Sequence, residues 1–166
     1  GVDADSNGYK DDKYGYNFVR NTGVTSWTSN GSTGHGTHVA GTIAAVNDNG
    51  KGCSGIAGGG KGRKGVKIMT LQLFDGMNSC SLAMEARAMK YAADNGAIII
   101  NNSWGYEPDS YVGDNDYEQW DSVLKSAFDY FKTNARLEGA MEGGLVVFAA
   151  GNESFSTSSY PAAYHD

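Results

Sequence analysis

Residues 97–103, which read AIIINNS, form a short apolar run that ends in polar side chains. A continuous apolar run of this length is typical of a strand that is buried on both faces, as in a parallel sheet. A second run of this kind, GLVVFAAGN, occupies residues 144–152. The segment VKIMTLQLF at residues 66–74 predicts a further strand. The sequence therefore predicts three buried strands, and the segments between them decide how these strands connect.

Both intervening segments are predicted to contain a helix. SLAMEARAMKYAADNG, residues 81–96, has helical periodicity and a candidate C-cap at Gly96. Its shared face is predicted to consist of Leu82, Ala86, Met89 and Ala93. A second helix is predicted at about residues 116–138. The order strand, helix, strand, helix, strand predicts an α/β fold in which a parallel sheet is flanked by helices.

The N-terminal part of the chain has a different character. Residues 1–34 are polar and rich in turn formers, and only YGYNFV at residues 14–19 reads as a strand. From His35 to residue 46, small and apolar residues follow a Gly-His-Gly start, which predicts a tightly buried helix. There are no internal repeats or low-complexity linkers, so the chain is interpreted as one α/β unit.

Composition excludes several classes of protein. The chain has 166 residues, 40% of them hydrophobic and 19% charged, which suits one cored domain. A net charge of -6 and a pI near 4.9 argue against a nucleic-acid partner. No apolar run approaches a membrane span, and no membrane partner is expected. Cys53 and Cys80 fit either a single disulfide or two thiols.

Polar side chains collect where two of the predicted strands end. Functional groups in open parallel sheets lie outside the carboxyl edge of the strands. The residues at these ends are Asn101, Asn102, Ser103 and Asn152. They are candidate site residues, although asparagine is also a common turn former.

Four segments, in order, resemble one known family. GHGTHVAGT, residues 34–42, resembles the histidine motif of the subtilisin-like serine peptidases, or subtilases. IIINNSWG is similar to that family's substrate-binding strand, GLVVFAAGNES to the strand with its oxyanion asparagine, and YPAAYHD to the loop that follows. The resemblance implies a subtilisin-like fold that is incomplete at both ends. Residues 1–166 would be a partial catalytic domain, with an acidic, turn-rich loop region at 1–34 and the histidine helix to the oxyanion strand at 35–166.

The resemblance also implies roles for single residues. His35 would be the general base that takes a proton from the nucleophilic serine, and His38 a buried structural residue. Asn152 would donate its side-chain amide to the oxyanion. Ser103, Trp104 and Gly105 would bind an extended substrate, although Trp104 is equally well interpreted as a core aromatic.

Two members of the expected triad are not evident. The family's serine lies in a motif containing Gly-Thr-Ser, which the 166 residues do not contain. Asp3 lies 32 residues before His35 but follows no apolar strand, so the acid is expected upstream of Gly1. The polypeptide as given is expected to be inactive, and to expose apolar surface that the remainder of its own catalytic domain would cover.

The acidic segment DADSNGYKDD favours a calcium loop or a solvated acidic turn. Its opening matches the D-x-D-x-N-G start of an EF-hand loop, but position 12 is Tyr14 rather than a glutamate. The candidate ligands are Asp3, Asp5, Asn7, Asp11 and Asp12. Asp48, with Asn47 or Asn49, is a second candidate. Calcium would be a structural ion, and no cofactor is expected for catalysis.

Three functions remain open from the sequence. The first is a serine endopeptidase that hydrolyses polypeptide substrates through an acyl-enzyme. The second is an inactive subtilase-like scaffold that binds peptide or calcium, and the third is an unrelated α/β binding domain. The resemblance implies a secreted or cell-surface protein.

Overall fold

The computed structural model describes residues 1–25, 34–106, 122–139, 141–154, 156 and 159–164. The chain divides into two compact units, Gly1–Cys80 and Ser81–Asp166. Each unit contains a parallel strand pair and at least one helix. The α/β fold class is therefore confirmed. Within the described ranges, no helix combines the length and apolar character needed to cross a lipid bilayer.

The first unit is built around a short parallel pair. Strand β1 (Gly15–Asn17) pairs with β4 (Thr70–Gln72), and Gly15 lies opposite Thr70. Gly15 has a φ of 130°, and a Cβ there would lie 1.9 Å from the Thr70 carbonyl oxygen. Only glycine therefore lets the two strands approach this closely. The unit also contains helix α1 (His35–Ala44) and two hairpins, β2 (Gly59–Gly60) with β3 (Arg63–Lys64) and β5 (Phe74–Asp75) with β6 (Asn78–Ser79).

Aromatic side chains around β1 form the core of this unit. Phe18 is only 1% exposed, and its ring lies 5.2 Å from that of Tyr16. Asn17 is buried with its hydrogen bonds made: its Oδ1 accepts from the backbone of Val19 and Arg20, and its Nδ2 donates to Gln72. Buried polar groups are stable when they are paired in this way.

The second unit is a helix-covered strand pair. Its elements are α2 (Leu82–Asp94), β7 (Ile99–Asn102), α3 (Ser122–Asn134), β8 (Arg136–Leu137), β9 (Met141–Glu142) and β10 (Leu145–Phe148). Strand β7 runs parallel to β10, and α2 packs against α3. The ring of Phe128 on α3 contacts that of Phe148 on β10 at 5.3 Å between centroids. Leu124 and Phe131 on α3 are fully buried and form the centre of this core.

Helix α2 confirms one prediction in detail and corrects another. The N–H of Gly96 bonds to the Ala93 carbonyl and that of Ala97 to the Ala92 carbonyl, with Gly96 at φ 84°. These two bonds are the Schellman ending that a glycine at this position predicts. The predicted apolar face is wrong in part, because Leu82 is exposed and Ala86 half-buried. The buried residues are Glu85, Ala88, Met89, Tyr91, Ala92 and Ala93. Small side chains at Ala88 and Ala92 suit close approach by α3.

The expectation that the strands are buried on both faces is wrong. Along β7 the side chains alternate, with Ile100 and Asn102 buried and Ile99 and Asn101 exposed. Helix α3 covers the face that carries Phe148, and Asn102 shares that face because it lies directly opposite Phe148 in the parallel pair. The described residues thus give this sheet one covered face.

Three further expectations need correction. Helix α1 forms as predicted but has no fully buried residue, so its predicted tight burial is wrong within this chain. The strand predicted at residues 66–74 is limited to β4 and is followed by the β5–β6 hairpin. The helix predicted to residue 138 ends at Asn134, whose side chain bonds back to the Tyr130 carbonyl at 2.9 Å. Such local bonds compete with helical ones. Residues 116–121 lie outside the described residues.

Truncation of Phe131 should destabilise the second unit strongly. Its side chain is 0% exposed, and a Cβ on Gly144 would lie 2.3 Å from its ring, so the residue is closely surrounded. We expect Phe131→Ala to lower the free energy of unfolding by about 3–5 kcal/mol, since it leaves a cavity. Urea denaturation followed by circular dichroism measures this. Val123→Ala, at a 54% exposed position of the same helix, should cost well under about 1 kcal/mol.

A polar cluster links α2 to α3. Lys90 Nζ donates to Asp94 at 2.7 Å and to the Tyr130 hydroxyl at 3.0 Å, and that hydroxyl donates to Asp94 at 2.8 Å. Burial raises the pKa of Asp94, but the hydrogen bonds from Lys90 and Tyr130 together outweigh it and lower that pKa below its ordinary value. The cluster therefore favours the ionised carboxylate.

This direction fixes the pH dependence of the cluster. A carboxylate whose pKa is lowered by folding stabilises the protein above its unfolded pKa, about 3.9, and loses that contribution as pH falls through its folded pKa. Asp94→Asn should therefore lower stability at pH 7, by under about 1 kcal/mol because the side chain is 44% exposed and screened. Below both pKa values the variant and the parent should unfold alike in urea. If the variant and the parent differed in stability by the same amount at pH 7 and below both pKa values, the ionised Asp94 carboxylate would not be the source of the difference.

Candidate active site

The histidine segment lies at the start of α1. The helix begins at His35, and Gly34 precedes it in the left-handed conformation at φ 70°. A Cβ on Gly34 or Gly36 would meet no described atom within 4 Å. The imidazole of His35 is exposed. His38, which the resemblance placed as a buried structural residue, is also exposed.

The C-terminal end of α1 is held by hydrogen bonds from the loop that follows it. The N–H groups of Gly55, Ile56 and Ala57 donate to the carbonyls of Ala45, Thr42 and Ile43, respectively, at 2.8–2.9 Å. A helix leaves its last carbonyls without partners inside the helix, and the bonds to Thr42 and Ile43 satisfy two of them. The loop after α1 therefore fixes the helix that carries His35.

The ends of β7 and β10 lie at one edge of the second unit's sheet. The register pairs Asn102 with Phe148, and the Ala149 N–H donates to the Asn102 carbonyl at 2.9 Å. The chain segments that follow, residues 103–105 and residues 150–152, thus both leave from that edge. The structure brings the predicted substrate-binding residues and Asn152 to the same edge, as expected for parallel strands.

Side chains at this edge are tied to the strands that carry them. Asn101 Nδ2 donates to Ser103 Oγ at 2.9 Å, and Asn102 Nδ2 donates to the Val147 carbonyl at 3.3 Å. Trp104 is half-buried, with its ring edge-on to Phe148 at 5.6 Å and to Tyr106 at 5.9 Å. Trp104 therefore packs over the end of the sheet.

Asn152 follows a sharp turn. Gly151 has φ 92°, a conformation that suits glycine, and the Asn152 side chain is exposed. Its amide makes no hydrogen bond within the described residues. The backbone N–H of Asn152 donates to Glu153 Oε2 at 2.7 Å. Sequence reasoning missed Glu153, although its position next to Asn152 was a signal.

A C-terminal segment supports this edge and was also missed. The Tyr106 N–H donates to the Tyr160 carbonyl at 2.7 Å, and Tyr160 is buried. Lys125 lies over the Tyr164 ring, 4.9 Å from its centroid. Hydrogen bonding with Tyr164, and then with Asp129, raises the pKa of Lys125. The segment from Tyr160 to Tyr164 is thereby attached to both the sheet edge and α3.

The acidic loop folds around Asn7. Asp3 accepts from the backbone N–H groups of Asn7 at 3.1 Å and Gly8 at 2.9 Å. Asn7 Nδ2 donates to Asp5 at 3.2 Å and to Asp12 at 2.8 Å. Asp11 instead faces the N-terminus, and Tyr14 is 71% exposed. Within the described ranges, no three His, Cys, Asp or Glu side chains are grouped to hold a metal ion. The donor chemistry suits Ca²⁺, but these carboxylates face N–H groups.

The residues of the Asp48 loop fit a cation site only in part. The carboxylate of Asp48 lies 3.8 Å from Lys61 Nζ, which supplies a competing positive charge. Next to it, Asn47 Oδ1 is buried and accepts no hydrogen bond within the described residues. A buried oxygen of this kind is an acceptor that a water molecule would satisfy with a hydrogen bond, or a cation by coordination. Cys53 and Cys80 are not joined by a disulfide.

The comparisons identify the family. The chain matches the model of the subtilase family over residues 2–166. Fervidolysin of Fervidobacterium pennivorans is 39% identical over 138 residues, which cover 78% of this chain and 16% of that protein. Thermitase of Thermoactinomyces vulgaris is 34% identical over 150 residues, 90% of this chain and 43% of that protein. A thermophilic serine proteinase of Bacillus sp. (strain AK1) is 33% identical over 152 residues, which cover 92% of this chain and 31% of that protein.

The chain belongs to the subtilase family. It spans between 16% and 43% of the length of these three relatives. The resemblance read from the histidine motif and the two strands is confirmed, and an unrelated α/β domain is excluded.

Proposed function

We propose that the complete protein containing these residues is a serine endopeptidase of the subtilisin type. The observation that carries the proposal is the family match over residues 2–166, which includes both the His35 motif and the Asn152 strand. Relatives similar to the chain are named as proteases or serine proteinases. Residues 1–166 would then be part of one catalytic domain.

The reaction is acyl transfer to a serine supplied from outside these 166 residues. His35 takes the serine proton as the hydroxyl attacks the substrate carbonyl, and later gives that proton to the leaving amine. The exposure of its imidazole at the start of α1 is consistent with this access. The exposed amide of Asn152 stabilises the negative charge that develops on the carbonyl oxygen. Water then hydrolyses the acyl-enzyme.

Residues 103–105 bind the substrate as an added strand. What supports this is that Ser103, Trp104 and Gly105 leave the sheet at the same edge as Asn152. Backbone groups would hold an extended polypeptide there, and Trp104 would line the pocket from its position against Phe148. Action on external polypeptides fits a secreted or cell-surface protein.

The 166-residue chain itself should not hydrolyse peptides, because it contains no Gly-Thr-Ser motif. The alternative proposal is an inactive subtilase-like scaffold that binds peptide or calcium. Hydrolysis of a chromogenic peptide amide by the natural full-length protein separates the two. We expect turnover that a serine-directed sulfonyl fluoride abolishes. A folded full-length protein with no turnover on a diverse peptide library would favour the scaffold.

We propose in addition that Ca²⁺ stabilises the acidic loop. The support is the chemistry of the hard oxygen donors Asp3, Asp5 and Asp12, which accept hydrogen bonds from Asn7 and Gly8 in the structure, and Gly8 at φ 90° in the sharp turn. Asp11, and Asp48 in its own loop, are further donors of the same chemistry.

Calcium should therefore raise the melting temperature of the chain. We expect a rise of a few degrees in millimolar CaCl₂, and a smaller one in MgCl₂, because binding to the folded state stabilises it by mass action. Asp5→Asn should reduce the rise if the acidic loop is the site, whereas Asp48→Asn should reduce it if the second loop is. Identical melting curves with CaCl₂ and with EDTA would contradict both.

A further inference from the structure

Positive charge is concentrated in one part of the first unit. Residues 49–74 contain five basic side chains and no acidic one, in a chain whose net charge is -6. Four of the five lie within residues 61–67 and are Lys61, Arg63, Lys64 and Lys67. The negative net charge of the whole chain therefore does not reveal this local concentration of positive charge.

The fold presents these charges on a hairpin. Strand β2 pairs with β3, and Lys61 and Gly62 form the turn with φ values of 48° and 81°. We call residues 59–67 the basic hairpin. Residues 61–68 are all exposed, and Lys61 makes a loose ion pair with Asp48. Among the described residues, Arg63, Lys64 and Lys67 make no ion pair, so their charge is available at the surface.

The hairpin is attached to the helix that carries His35. The Asn47 N–H donates to the Gly59 carbonyl at 3.0 Å, and the Val66 N–H to the Ala57 carbonyl at 3.0 Å. Ala57 in turn caps the end of α1. The hairpin is therefore attached at the opposite end of α1 from His35, and this helix of 10 residues is roughly 15 Å long at about 1.5 Å per residue.

We propose that the basic hairpin is a docking surface for an acidic polypeptide segment. Its cations lie beside two exposed apolar side chains, Val66 at 51% within the hairpin and Ile68 at 41% directly after it, which a chain of mixed acidic and apolar residues would match. The basic hairpin itself, residues 59–67, contains no aromatic side chain on which nucleic-acid bases would stack.

The basic hairpin would also influence substrate choice, which rests on the proposed function. An extended peptide advances about 3.3 Å per residue, so a span of 15 Å corresponds to at least about five residues. Substrates with an acidic run five or more residues from the scissile bond would bind more tightly than neutral ones. Their KM would fall and kcat would stay the same, because the contact is equal in the ground state and the transition state.

The test measures binding by the chain itself and requires no catalysis. A fluorescein-labelled peptide of alternating glutamate and leucine is titrated with the 166-residue protein and followed by fluorescence anisotropy. The matched probe has glutamine for glutamate. The double variant Arg63→Gln/Lys64→Gln removes two hairpin charges, and Lys10→Gln/Arg136→Gln removes two exposed charges elsewhere. Circular dichroism confirms that each variant keeps its fold.

We expect the acidic probe to bind more tightly than the glutamine probe, and its affinity to fall between about 0.05 M and 0.3 M NaCl. The hairpin variant should bind it about tenfold more weakly, and the control variant should match the parent. Equal binding of both probes, or equal loss in both variants, would overturn the proposal. Binding to phosphatidylserine vesicles without binding to the acidic probe would also overturn it. Serine labelling of the full-length protein tests the proposed function separately.

Discussion

Replacing His35 with alanine is expected to lower kcat of the complete enzyme by about 10⁶-fold, the loss known for the base of a subtilisin triad. Without an imidazole, the serine hydroxyl keeps its proton and the leaving amine receives none. The exposed position of His35 at the first residue of α1 means that its loss leaves no cavity. Steady-state kinetics on a peptide amide measures the effect, and KM should change little.

His38→Ala is the matched control for this experiment. It removes the same side chain one helical turn away, also at an exposed position. We expect it to keep kcat within about tenfold of the parent. If the two variants lost activity equally, the effect would come from the helix rather than from a base. If neither lost activity, His35 would have no catalytic role.

Removing the Asn152 amide should lower kcat by about 10²- to 10³-fold, or about 3–4 kcal/mol of transition-state stabilisation. The donor acts on charge that exists only in the transition state, so KM for Asn152→Ala should stay near that of the parent. The amide is exposed and makes no hydrogen bond to the described residues, so the substitution breaks no contact of the fold seen here.

The variant Asn152→Asp gives a second test of the role of the Asn152 amide. It keeps the shape of the side chain but replaces the N–H donor with a carboxylate, which repels an oxyanion. Its kcat should fall at least as far as that of the alanine variant. A rise in KM with unchanged kcat in both variants would instead make Asn152 a substrate-binding residue.

The sequence correctly predicted the elements for which the local sequence pattern and the tertiary packing favour the same secondary structure. Residues 81–96 have helical periodicity and end in glycine, and the helix forms with the expected Schellman ending at Gly96. The apolar runs at 97–103 and 144–152 form strands that pair in parallel. Because parallel strands end at one edge, the proximity of residues 103–105 to the Asn152 segment could be predicted as well.

Other features depend on contacts that local sequence does not encode. The burial predicted for α1 requires chain packed over it, and nothing in the histidine segment specifies whether such chain is present. Asn134 ends α3 through its own side chain, which helical periodicity does not register. Glu153 and Tyr160 reach the candidate site through bonds to Asn152 and Tyr106. The basic hairpin could not be predicted from the total composition, because the chain is acidic overall and it is the turn that exposes these basic side chains together.

The most direct test of the central claim is covalent labelling of the natural full-length protein by a fluorophosphonate probe, which reacts with an activated serine. We expect labelling of the full-length protein, none of the isolated 166-residue chain, and none of the full-length His35→Ala variant. Equal labelling of the variant and the parent would show that His35 does not activate the serine. A folded full-length protein that takes up no probe would contradict the peptidase assignment.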